Sequence, residues 1–151
     1  MPLKEQIQND IKAALLSGNR FDGDVLRNLK AAILNEEVAT NKRDEGLGED
    51  EIEKIIAREV KKRRESIALY EQNNRPELAE SEQKEISVLE KYLPKMMSED
   101  EVASLVDEVI ASMGSDVTVK QMGQVIGSVK SKAGNSADGA MVARIVKEKL
   151  Q

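Results

Sequence analysis

Apolar residues return every three or four positions along almost the whole chain, the spacing that places them on one side of an α-helix. Leu3, Ile7, Ile11, Ala14 and Leu15 make the first stripe, closed by Ser17-Gly18-Asn19. A second stripe of Val25, Leu26, Leu29, Ala32 and Ile33 follows Phe21. Asp22-Gly23-Asp24 offers its cap, and the pattern fades at Thr40-Asn41. Beyond a polar loop through Gly46 and Gly48, the longest helix is predicted from Glu49 to Asn73, with Ile52, Ile55, Ile56, Val60, Ile67 and Tyr70 on its apolar side. Pro76 suits the first turn of a fourth helix, where a missing N–H costs no helical bond. Leu78, Ile86, Leu89 and Leu93 carry that helix to Pro94.

After Pro94 the stripes shorten. Ser98 and Glu101 have capping-box spacing ahead of Val102, Leu105, Val106, Val109, Ile110 and Met113, with Gly114 as the stop. Thr118 and Gln121 repeat that spacing ahead of Met122, Val125, Ile126 and Val129, ending near Ala133-Gly134. The last stripe, Met141, Val142, Ile145, Val146 and Leu150, starts near Ser136 or Asp138. Val117-Thr118-Val119 is the sole strand-like run and is too short and isolated to make a sheet. The pattern predicts an all-α chain: a four-helix N-terminal unit over residues 1–95 and a smaller three-helix unit over residues 96–151.

Composition narrows the chemistry. The 151 residues contain no Cys and no His, which removes thiol nucleophiles, imidazole bases and the usual zinc ligands. No Gly-rich nucleotide loop and no amidase-like Ser/Lys stretch is present, so no catalytic residue, cofactor or metal site is assigned. Phe21, Tyr70 and Tyr92 are the only aromatics, too few to stack unpaired bases. The N-terminal residues lack a signal-peptide pattern and no apolar run would span a bilayer, so a cytoplasmic protein without a membrane partner is expected.

The formal charge of −5 is unevenly placed. Residues 1–94 sum to −4. Residues 95–116 sum to −5, with Lys95 against Glu99, Asp100, Glu101, Asp107, Glu108 and Asp116. Residues 117–151 sum to +4, with Lys120, Lys130, Lys132, Arg144, Lys147 and Lys149 against Asp138 and Glu148. Such a basic end can face phosphates or can be a solvated surface. A secondary basic cluster, Arg58, Lys61, Lys62, Arg63 and Arg64, is interleaved with Glu59 and Glu65 and preceded by Glu49, Asp50, Glu51 and Glu53, so pairing along one helix accounts for it.

Gly123 and Gly127 stand four apart in an otherwise helical stripe, a spacing expected to serve close helix packing. The order around them is more specific. Lys120-Gln121-Met122-Gly123-Gln124-Val125-Ile126-Gly127, then Ala137-Asp138-Gly139-Ala140-Met141-Val142 and Val146-Lys147-Glu148-Lys149-Leu150, resembles the C-terminal part of the YqeY family. Upstream, Arg58 to Ile67, Asn74-Arg75-Pro76-Glu77-Leu78-Ala79, and Glu85-Ile86 through Tyr92-Leu93-Pro94 to Met97-Ser98-Glu99 resemble that family's N-terminal domain.

That family's tail is similar to the one on the B subunit of tRNA-dependent amidotransferases. The resemblance therefore implies tRNA or a tRNA-containing complex as partner, and an association with carbon–nitrogen ligation using glutamine as amide donor. It does not bring the catalytic part of that enzyme with it. By position, the implied RNA-facing residues are Lys120, Gly123, Gln124, Lys130, Lys132 and Asp138, with Asn135, Ser136 and Lys147 as further candidates and Asp138 also suited to capping. Where relatives have a Lys-Gly-Lys or Lys-Gly-Arg linker, this chain has Ala133-Gly134-Asn135-Ser136. Two other readings remain: assistance to an amidotransferase or other protein, and a protein-interaction module without RNA, in which the acidic 99–116 segment meets a basic surface.

Overall fold

The computed structural model describes residues 1–151 as seven α-helices with no strand. It divides into two compact units, Met1–Leu93 and Pro94–Gln151. The first holds α1 (Leu3–Ser17), α2 (Arg20–Ala39), α3 (Glu49–Gln72) and α4 (Pro76–Glu90); the second holds α5 (Glu99–Met113), α6 (Met122–Ala133) and α7 (Gly139–Leu150). None of these helices is long and apolar enough to cross a membrane.

In the first unit Ile7, Val25, Leu29, Ile33, Ile52, Ile56, Ile86 and Leu89 close into one core, with α1 laid on α2 and α3 on α4. Two stripe positions are exposed. Leu15 lies one residue, about 100° of helical turn, beyond buried Ala14 and is 68% exposed. Leu78 is likewise outside, and Ala79 takes the buried place. α4 also stops at Glu90, so Tyr92 and Leu93 reach the core from the turn that precedes Pro94.

The start of α2 also differs from the pattern. Gly18, at φ +74°, ends α1 in the left-handed conformation, and the Asn19 N–H reaches back to the Ala14 carbonyl at 2.9 Å. The Asn19 side chain then accepts the Asp22 N–H at 3.2 Å, so α2 begins at Arg20 and Asp22-Gly23-Asp24 falls within its first turns. Gly23 is buried there: a Cβ at this position would sit 3.6 Å from that of Ala14.

One carboxylate, that of Glu37, is buried in the first unit. Glu37 on α2 accepts the Lys4 ammonium at 2.9 Å and the Leu47 N–H at 3.3 Å. It thereby holds the loop between α2 and α3, where Gly46 adopts φ +78°.

The second unit is built around Val102, Val106, Val109, Val125, Val129, Val142, Ile145 and Val146. Ser98 and Glu101 form both halves of the capping box that opens α5. Thr118 and Gln121 form the second box, but it opens a 3₁₀ turn, Val119–Gln121, that runs into α6. α7 is tied to α5 by Glu99–Arg144 at 2.8 Å and Asp107–Lys149 at 2.8 Å.

Candidate functional site

The site grows from the way α6 spends its twelve residues. Val125 and Val129 are buried and Met122 and Ile126 half-buried, which turns Gly123, Gln124, Gly127, Lys130 and Lys132 to the outside. A Cβ built at Gly123 or Gly127 meets no atom within 4 Å. The two glycines therefore do not serve helix packing. They leave the backbone of α6 uncovered along one face, with Gln124 between them and Lys120 exposed at the 3₁₀ entry.

The cations of residues 117–151 differ in their commitments. Arg144 is shared between Glu99 and Glu148, and these carboxylates raise its pKa; Lys149 is held by Asp107. Lys120, Lys130, Lys132 and Lys147 are exposed and enter no ion pair. Lys130 and Lys132 occupy the last turn of α6, where the helix dipole favours positive charge.

Lys130 has a further relation that the sequence does not announce. Its side chain lies across Gly139, the first residue of α7, so closely that a Cβ there would stand 3.4 Å from both Cε and Nζ. Asp138 caps the same helix end by accepting the Ala140 N–H at 3.3 Å. A cation, a capped helix N-terminus and the open α6 backbone thus lie together.

The linker residues are differently used. The Ser136 hydroxyl donates to the Ala133 carbonyl, and the Ser136 carbonyl accepts the Met97 N–H at 2.7 Å, so this residue braces the unit. Asn135 is half-buried in the same 3₁₀ turn.

The secondary basic cluster separates on α3. Arg63 is nearly buried between Glu59 at 3.0 Å and Glu85 at 3.3 Å; Lys62 pairs with Glu59, and Arg64 with Glu90 on α4. Arg58 and Lys61 face solvent outside these pairs. Pairing within α3 accounts for Lys62 and Arg63, as the interleaved charges imply, whereas Arg64 is paired only across to α4. No group of three or more acidic side chains is arranged to hold a metal ion.

The fold and site define a two-unit helical protein whose smaller unit presents an uncovered helix backbone beside unpaired lysines. Residues 4–150 match the model of the Yqey-like protein family, and the chain belongs to that family. It is similar to "Altered inheritance of mitochondria protein 41, mitochondrial" of Kluyveromyces lactis, 29% identical over 83% of this chain and 68% of that protein. The protein of the same name from Clavispora lusitaniae is 28% identical over 62% of this chain and 53% of its own length. That of Lachancea thermotolerans is 26% identical over 94% and 78%. The matches thus cover from about half to about three quarters of these relatives.

Proposed function

We propose that this protein is a tRNA-associated adaptor whose C-terminal unit touches structured RNA by phosphate and shape. The observation that carries the reading is the open α6 face, where Gly123, Gln124 and Gly127 expose backbone beside Lys120, Lys130 and Lys132. Glycine allows a phosphate-sugar chain to approach the helix, and unpaired lysines attract it without cost to internal ion pairs. Three aromatics, one of them buried Tyr92, are too few for base stacking, so double-stranded or folded RNA is the matching class. The similarity to an amidotransferase tail supports tRNA as that RNA and a helper role in glutamine-dependent amidation. The relatives' names place them in mitochondria; for this chain a cytoplasmic setting is part of the proposal.

Filter binding of the whole protein to tRNA at several salt concentrations tests the reading. Three to four phosphate contacts give a log–log salt slope of about −3. The double variant K130E/K132E should lower affinity at every salt concentration and reduce the slope by about 2 while the circular dichroism spectrum is unchanged. Absence of binding at low salt, or binding indifferent to salt, overturns it. Added to an amidotransferase with misacylated tRNA, glutamine and ATP, the protein should change product formation; alone it should form none.

A further inference from the structure

A second surface of the C-terminal unit has the opposite character. Met97, Asp100, Glu101, Ser104, Leu105 and Glu108 line a shallow groove of about 450 Å³ along α5. Their spacing, Asp100/Glu101, Ser104/Leu105, Glu108, is one continuous face over two helical turns. Leu105 and Met97 are half-buried and supply an apolar floor, and the short Ser104 side chain leaves a dip between the carboxylates.

The acids of α5 are sorted by face. Glu99 and Asp107 are neutralised by Arg144 and Lys149 of α7, and Glu101 accepts the Ser98 N–H and hydroxyl in the capping box. Asp100 and Glu108 enter no ion pair, and they stand at the two ends of the groove, about 12 Å apart along the helix axis at 1.5 Å per residue.

We propose that this groove docks a basic amphipathic α-helix of a protein partner. Charge complementarity fixes the class: uncompensated carboxylates repel nucleic acid and anionic lipid and attract lysine or arginine. The spacing fixes the form. Residues seven or eight apart on a second helix bring two cations to Asp100 and Glu108, while a large apolar residue midway between them seats over Ser104 against Leu105 and Met97. In an all-helical unit with no sheet edge to extend, a helix laid along a helix is the matching mode.

The probe is a synthetic 15-residue helical peptide with lysines at positions 4 and 11 and leucines at 7 and 8, titrated into the ¹⁵N-labelled whole protein. Micromolar binding is expected, with amide shifts centred on residues 97–108 and a loss of affinity of at least tenfold in D100N/E108Q. The same peptide with glutamates for lysines should not bind, and K130E/K132E should leave peptide binding unchanged. No binding, shifts centred outside 97–108, or affinity unaltered in D100N/E108Q overturns the proposal. So does concentration-dependent self-association of the protein that D100N/E108Q abolishes, which would assign the groove to a second copy of the chain. Binding of tRNA by D100N/E108Q reports on the RNA reading independently.

Discussion

The Tyr92 hydroxyl, in the turn after α4, donates to the Asp10 carboxylate in the middle of α1. It joins two helices that are remote in sequence, with the phenol ring buried in the core of the first unit. Burial, with the Asp10 hydrogen bond and charge behind it, raises the phenol's pKa well above its ordinary value of 10.0. The folded state then holds the proton more tightly than the unfolded chain. Its contribution is complete below about pH 10 and is lost as pH rises toward the folded-state pKa. Tyr92→Phe should cost about 1 kcal/mol at pH 7 in urea unfolding and should flatten the alkaline decline seen in the parent protein. An unchanged alkaline limb in the variant would remove Tyr92 from that decline.

Glu37 gives a local prediction. In Glu37→Ala the Leu47 N–H loses its acceptor and Lys4, which is 51% exposed, turns to water. Stability should fall by about 1 to 3 kcal/mol. Hydrogen exchange at the Leu47 amide should accelerate more than at Ile56 in the core, a contrast that uniform destabilisation would not produce.

Glu82 on α4 has a raised pKa, first because it is partly buried and next because Glu85 stands beside it, with Arg63 opposing both. A carboxyl whose folded pKa lies above the unfolded value of 4.5 makes the fold less stable as pH rises through that window. Glu82→Gln should therefore raise the urea midpoint at pH 7 and leave it unchanged at pH 3. A lower midpoint at pH 7 would mean that the attraction of the Arg63 charge outweighs burial.

The glycines of α6 test the open face from the side of stability. Because a Cβ at either position meets nothing, Gly127→Ala should stabilise the protein by about 0.5 to 1 kcal/mol through helix propensity, and Gly123→Ala, nearer the helix start, by less. Both should weaken tRNA binding if RNA approaches the backbone there. Destabilisation would point to a neighbour over this face.

These outcomes turn on features of unequal visibility in the sequence. Core stripes such as Ile52, Ile55, Ile56, Val60 and Val102, Val106, Val109 follow directly from the helical period, because burial of one face is what the period encodes. Leu15 and Leu78 escape that logic, since a stripe wider than the contact leaves its margin outside. The Thr118–Gln121 box was legible as a cap but not as a 3₁₀ turn, because its hydrogen bonds suit either helix start. Gly123 and Gly127 have the same spacing whether covered or bare; only the helices beside α6 decide it. Glu37 reads as another surface acid until Lys4 and Leu47 are brought to it from 33 and 10 positions away. The α5 groove was foreshadowed by an acid count, yet which acids remain unpaired depends on where α7 lies.

The placement of Arg144 and Lys149 against Glu99 and Asp107 has a consequence for how this protein meets others. Those bonds neutralise the seam between α5 and α7 and leave Asp100 and Glu108 on α5, and Lys120, Lys130, Lys132 and Lys147 further along the chain, outside any ion pair in a stretch whose net charge is only −1 over residues 95–151. Unpaired charge of both signs therefore coexists in one small unit. A polyanion meets unpaired lysines and a polycation meets unpaired carboxylates, so encounter rates with both should fall with ionic strength although the isoelectric point predicts attraction to only one.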